Sequence, residues 1–237
     1  MRLDKAAALA GMTRTEARRA IAAGRVWFNG APVRDAGMQV SPESVTVDGA
    51  ALSAPSEVYL MLNKPAGVVT ATEDRHLPTV ADLLPEDLRR RRIGPVGRLD
   101  RDVTGLVLMT TDGQLAHRLI SPRWKAEKVY RARCEGRLAR AEVEAFAAGV
   151  ALSDFTARPA GMCILEAGDG ESLADVTLTA GRFHQVKRMF AAIGHPLIAL
   201  HRLRIGCVTL DPALAPGEYR LLADAEIAAL RRLCGMA

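Results

Sequence analysis

Gly97-Arg98-Leu99-Asp100-Arg101-Asp102-Val103-Thr104-Gly105 runs without a break into Leu106-Val107-Leu108-Met109, so a loop of charged side chains leads directly into an apolar run of strand length. Such a run, closed by the turn signal Asp112-Gly113, reads as a central strand. A loop held at the end of a rigid strand supports exposed reactive groups well. Upstream, Val58-Tyr59-Leu60-Met61-Leu62 is a second continuous apolar run and a second central strand. Downstream, helical patterns lie around 114–120, 139–148, 183–193 and 224–234, with strand-like pieces at 128–133, 174–179 and 205–210. Strands outnumber helices and do not alternate with them, which predicts an α+β fold over a doubly wound one.

Further upstream the pattern changes. A first helix is expected over Leu3 to Ala10, and a second from Thr13, where Thr13-Arg14-Thr15-Glu16 fits a capping box; Gly24 supplies its stop. Val26-Trp27-Phe28, Asn29-Gly30 and Ala31-Pro32-Val33 read as a hairpin, because Asn-Gly tolerates the positive φ of a tight turn. Val45 and Val47 lead to another turn at Asp48-Gly49. This helix-helix-hairpin unit is expected to occupy residues 1–52, Ser53-Ala54-Pro55-Ser56-Glu57 has linker composition, and residues 58–237 form the larger domain.

The 237 residues are 49% hydrophobic and 25% charged, an ordinary globular composition, and the net charge of +5 is modest. Its distribution is more telling. Residues 1–30 hold six basic and two acidic side chains, residues 123–140 seven and two, and residues 182–204 five and none, which suits a long polyanion crossing more than one surface. Cys134, Cys163, Cys207 and Cys234 lie far apart, with no metal-ligand spacing, and are expected to be reduced thiols. No window approaches the ~18 apolar residues of a membrane span, so no membrane association and a cytoplasmic location are expected.

Asp100 stands between two arginines and is expected to stay ionised, the form a nucleophile or general base needs; residue types alone favour a structural salt bridge. Gly181-Arg182-Phe183-His184-Gln185-Val186-Lys187-Arg188-Met189-Phe190 reads as a helix beginning just after glycine, with Phe183, Val186, Phe190 and Ile193 on one face and Lys187 at its edge, where it would snorkel or pair with an acid. Arg14, Arg18 and Arg25 share one side of the second helix and the turn after it, as a phosphate grip or a solvated face. Arg89 to Arg92 reads as a solvated charge run, and His76, His117, His195 and His201 as structural or phosphate-facing.

Gly97-Arg98-Leu99-Asp100 followed by Thr104-Gly105-Leu106, together with Gly181-Arg182, His184-Gln185 and Leu62-Asn63-Lys64-Pro65-Ala66-Gly67, resembles the signature of the RsuA and RluA superfamily of pseudouridine synthases. Arg2-Leu3-Asp4-Lys5, Thr13-Arg14 with Ala17 and Ile21, Gly24-Arg25-Val26 and Asn29-Gly30 resemble the S4 RNA-binding domain; Trp27 is bulkier than is usual there. The resemblance implies a mixed, mainly antiparallel sheet with flanking helices behind a small S4 unit. It implies that Asp100 is the catalytic aspartate, that Tyr130 packs on the target base, that Lys187 pairs with Asp100, that Val186 packs beneath the base, and that Arg98 braces the vacated position in the RNA. It also implies RNA contacts from Arg2, Lys5, Arg14, Arg18, Arg25, Arg182, His184, Gln185 and Arg188. The motif Leu62 to Gly67 is read as structural.

Pseudouridine formation breaks the bond from uracil N1 to ribose C1′, turns the base and joins C5 to the same carbon. There is no net redox change, so no cofactor is expected, and the lack of a ligand cluster in the sequence argues against a metal. Over nearly the whole chain, including Leu200-His201-Arg202, Ile205-Gly206 and Leu214 to Arg220, the pattern is most similar to the RsuA type, which implies 16S ribosomal RNA, free or in an assembling particle, as the partner of a monomer. The competing expectations are the same isomerase acting on 23S or transfer RNA, and a non-catalytic S4 ribosome-assembly factor.

Overall fold

The computed structural model describes residues 1–52 and 57–236. The linker expected at 53–57 lies outside the described residues except for Glu57. The chain divides into two compact units, Met1–Ser56 and Glu57–Ala237.

In the first unit, α1 (Leu3–Ala7) continues as a 3-10 turn over Ala8–Ala10, and α2 (Arg14–Ala22) begins with the expected capping box of Thr13 and Glu16. The strands β1 (Val26–Phe28), β2 (Ala31–Pro32), β3 (Val45–Val47) and β4 (Ala50–Ala51) form an antiparallel sheet in the order β2-β1-β3-β4. Asn29 and Gly30 adopt φ 52° and 77° in the first turn, Asp48 and Gly49 φ 51° and 81° in the second, the positive angles these tight turns require. Leu3, Ala6, Ala17, Ile21, Val26, Val45 and Val47 make a small buried core.

The second unit holds β5 (Tyr59–Lys64), α3 (Glu86–Arg90), β6 (Gly94–Pro95), β7 (Thr104–Thr110), α4 (Gly113–Ile120), β8 (Lys128–Glu135), α5 (Arg140–Ala148), β9 (Gly161–Ala167), β10 (Glu171–Leu178), α6 (Gln185–Ala192), β11 (Leu197–Ile205), β12 (Val208–Thr209), β13 (Tyr219–Leu221) and α7 (Asp224–Leu233). Its sheet runs β13-β5-β7-β11-β8-β10-β9, with β12 beside β11 and β6 beside β7. Among these pairings only β7 with β11 is parallel.

Both faces of this sheet are covered, which is why its central strands read as unbroken apolar runs. Leu60, Leu62, Val107 and Met109 face one core with Phe146 of α5 and Phe190 of α6; these two rings meet edge to face at 5.2 Å. Tyr59, Met61, Leu106 and Leu108 face the other with Leu115 and Leu119 of α4 and Leu230 of α7.

Three expectations are corrected. Asp112-Gly113 is a helix start and not a simple turn: the Asp112 carboxylate accepts the Gln114 and Leu115 N–H groups at 3.0 Å, capping α4. The strand expected at 205–210 runs instead from Leu197 to Ile205, then turns through Gly206 into β12. Much of the basic charge at 123–140 is answered across the sheet or along a helix, by Arg131 with Asp175, Arg133 with Glu171, Arg137 with Asp169 and Arg140 with Glu144.

Candidate active site

The loop 97–103 is held from beneath by two side chains. Thr70 Oγ1 donates to the Leu99 carbonyl at 2.9 Å and accepts the Leu99 N–H at 3.1 Å. Lys64, the last residue of β5, is fully buried and donates to the carbonyls of Pro65, Arg101 and Val103 at 2.9, 3.2 and 2.8 Å. Three N–H groups of an ammonium thus meet three carbonyls, with the charge left beneath Asp100 and Asp102. Burial pushes the Lys64 pKa down to about 8, although both carboxylates pull it the other way. Leu62 to Gly67 is structural, as the sequence suggests, and a lysine ending an otherwise apolar strand is the signal for its link to the loop that carries Asp100.

Beyond the loop, Gly105 lies where β7 meets β11 at φ 99°, and a Cβ there would come within 2.4 Å of the Arg202 carbonyl, so only glycine permits the parallel pairing. Arg202 is buried, donates to the Leu106 carbonyl at 2.8 Å, and reaches the Tyr130 hydroxyl at 3.4 Å from the neighbouring strand. The sequence reading gave it no role.

These elements surround an open cleft of about 90 Å³, lined by Asp100, Tyr130, Val186, Lys187, His184 and Arg98 among others. The fold therefore assembles side chains that are far apart in sequence. Two nitrogen groups approach the Asp100 carboxylate, the Lys187 ammonium Nζ at 3.4 Å and the His184 imidazole Nε2 at 3.5 Å. They come from α6 and the residue before it, whereas the sequence expectation placed Arg98 and Arg101 in that role. Arg101 Nε instead donates to the Gly67 carbonyl, and Arg98 is exposed at the cleft.

Lys187 was expected to pair with Asp100, and its closer partner is Asp102, which accepts from Nζ at 2.7 and 2.8 Å. Lys187 therefore bridges the two acids. That hydrogen bond holds Asp102 below the usual carboxylate range; burial works against the lysine charge, but the two acids outweigh it and raise the Lys187 pKa.

The helix after Gly181 starts later than the pattern implies. His184 takes a left-handed φ of 50°, and α6 begins at Gln185. Phe183 therefore leaves the buried face expected for it and is 72% exposed, while Val186 and Phe190 stay inside. Gln185, expected at the RNA, is buried, with its carbonyl oxygen accepting the Arg182 N–H at 2.9 Å; it braces the turn. Arg182 lies over the Phe155 ring, and Arg188 is paired with Asp154.

Within the first unit, Arg2 and Arg18 both bind the buried Asp4 carboxylate, at 3.2 and 3.1 Å, and Arg25 is paired with Asp48, while Lys5 and Arg14 are exposed and make no ion pair within 4 Å among the described residues. Arg89 and Arg90 pair with Asp82 and Glu86, as a solvated charge run would. His201 accepts or donates toward Thr104 Oγ1 at 2.8 Å, and His195 toward the Glu135 carbonyl. Among the described residues no three His, Cys, Asp or Glu side chains gather as a metal site would require.

The RNA pseudouridylate synthase profile matches residues 58–192 and the S4 domain profile residues 1–46. Over 236 residues the chain is 45% identical to ribosomal small subunit pseudouridine synthase A of Escherichia coli (strain K12), covering 97% of this chain and all of that one. It is 42% identical over 232 residues to an uncharacterized RNA pseudouridine synthase of Bacillus subtilis (strain 168), covering 96% and 97%. Among solved structures, a crystal structure of a pseudouridylate synthase superposes with a TM-score of 0.70 at 38% identity, covering 97% of this chain and 99% of that one.

Proposed function

The chain belongs to the RNA pseudouridylate synthase family and carries an S4 domain, and from that premise we propose that it converts one uridine of small-subunit ribosomal RNA to pseudouridine, with Asp100 as the catalytic carboxylate. The observation that carries the assignment of Asp100 is its place in the cleft, beside Lys187 and His184 and in a lining that includes the Tyr130 ring. The match over the full length of the E. coli small-subunit enzyme supports the choice of RNA.

A base stacked in RNA cannot reach a side chain in a cleft, so the uridine is extruded first. Tyr130 stacks on the uracil and Val186 packs beneath it, offsetting part of the lost stacking; Arg98, exposed at the mouth, takes up the vacated position. The N1–C1′ bond breaks, the ring turns, C5 joins C1′ and loses its proton, and N1 gains one. One carboxylate can serve as nucleophile at C1′, as nucleophile at C6, or as base at C2′. In each role it must be held in position, which the Lys187 bridge and the Lys64 clamp on its loop support. The cleft is complete within one chain, as action by a monomer requires, and a ribosomal RNA substrate is in keeping with a cytoplasmic location. No helix among the described residues is long and apolar enough to cross a membrane.

The direct test is to incubate the protein with unmodified small-subunit, large-subunit and transfer RNAs and map pseudouridine by carbodiimide-stopped reverse transcription. One new site in the small-subunit RNA is expected; a site only in another RNA moves the target, and none in any overturns the reading. Tyr130→Leu should lower kcat/KM by about 10–100-fold, the worth of stacking one base. An undiminished rate would remove Tyr130 from the site. Of the first-unit cations expected at the RNA, Lys5 and Arg14 make no ion pair within 4 Å among the described residues. Replacing both with alanine should make the salt dependence of RNA affinity shallower by roughly 1–2 in log–log slope, and an unchanged slope would place the grip elsewhere.

A further inference from the structure

The chemistry above makes no use of Phe183, yet at 72% it is the most exposed large apolar side chain among the described residues. Its position is imposed by the backbone. His184 holds a left-handed φ of 50°, a conformation non-glycine residues seldom adopt, and the buried Gln185 side chain locks the turn by accepting the Arg182 N–H. The effect is to lift Phe183 out of the helix and lay its ring on the His184 imidazole, with centroids 3.8 Å apart and planes within 18°. His184 Nε2 in turn lies 3.5 Å from Asp100 Oδ1. Two stacked rings therefore lead outward from the carboxylate and end in an open aromatic face.

The surroundings of that face indicate what would cover it. Phe183 stands at the edge of the cleft through its stack on His184, one of the lining residues, and Arg98, Arg182 and Lys187 line that cleft with Asp100 as its one acid. Arg182 and Arg188 also lie against Phe155, 4.2 and 5.4 Å from its ring centre. Flat aromatic surface set among cations is the composition that binds unstacked nucleobases along a phosphate backbone. Resting on the reading that the cleft receives an extruded uridine, we propose that the outer face of Phe183 is a stacking site for the nucleobase adjacent to that uridine in the RNA chain. Extrusion strips the neighbouring base of one stacking partner, and Phe183 replaces it. Because every base has such a face, the site supplies affinity and register, with little selection of base identity.

The test uses the full chain and an unmodified small-subunit rRNA transcript. Phe183→Leu keeps an apolar side chain of similar bulk at an exposed position and removes the aromatic face. It should raise the RNA concentration giving half-maximal single-turnover rate about tenfold or more, with the saturated rate within about threefold of wild type. Phe183→Trp should match or better wild type. With p-azidophenylalanine at position 183, photocrosslinks should fall on the nucleotide next to the mapped pseudouridine. Wild-type behaviour of Phe183→Leu, or crosslinks absent or confined to nucleotides three or more positions away, overturns the proposal while wild-type turnover leaves the parent reading standing. If the wild-type protein forms no pseudouridine in any RNA, the parent reading fails and takes this proposal with it.

Discussion

Asp100→Asn should abolish uridine isomerisation, lowering the single-turnover rate by about 10⁴-fold or more, while RNA affinity stays within a few-fold of wild type. Asparagine preserves the shape of the side chain and removes its charge and nucleophilicity. Lys187 should remain in place in this variant because Asp102 accepts both of its shorter hydrogen bonds. The loop should also remain, since Thr70 and Lys64 grip its backbone and not the Asp100 carboxylate. Asp102→Asn provides the contrast: it weakens the anchor of Lys187 and leaves the reactive carboxylate, so a partial loss of about tenfold is expected. Retention of more than about one percent of turnover by Asp100→Asn would refute the assignment.

Lys64→Met should be the most destabilising single change near the site. Methionine fills the space of the stem but leaves the Pro65, Arg101 and Val103 carbonyls without their donor, at about 2–3 kcal/mol in total at pH 7 if water reaches the less buried ones. Urea unfolding measures that cost. The rate should fall as well, because the loop bearing Asp100 loses its support. The pH dependence has a fixed sign. Lys64 titrates at about 8 in the folded protein against 10.5 unfolded, so between those values the unfolded chain binds more protons. Stability from this group therefore rises with pH across that window, and the advantage of wild type over Lys64→Met should grow from pH 8 to 10.5. A gap that shrinks would mean that the folded protein favours the Lys64 charge over the unfolded chain, and that burial does not set its pKa.

What the sequence made legible was whatever local chemistry dictates. Thr13 with Glu16 announces a helix start, Asn29-Gly30 a tight turn, and two unbroken apolar runs the strands with both faces covered. The motif around Asp100 marked the loop that the fold brings to the cleft. What escaped depends on partners distant in the chain. Phe183 fits a helical stripe, and only the left-handed backbone at His184, fixed by Gln185, turns it outward. β11 was displaced because a buried arginine in its middle breaks the alternation a strand is expected to show. β9 lies at the sheet edge with most of its residues exposed, so it carries little apolar signal. Lys187 was placed correctly at the edge of a buried face, but which acid it would meet depends on how two loops pack.

The parallel contact of β7 with β11 has a bearing on how the enzyme comes into being. Thr104 and His201, paired there, are 97 residues apart in the chain. Closing so long a segment is entropically costly and late compared with hairpins. During synthesis, Asp100 leaves the ribosome well before Lys187, and before the strand that carries Arg202 up to Tyr130. A nascent chain stalled short of β11 would thus possess the carboxylate without its counterion bridge or a braced aromatic. The protein should gain its catalytic competence as one of the last events of folding, so that turnover itself reports a completed sheet.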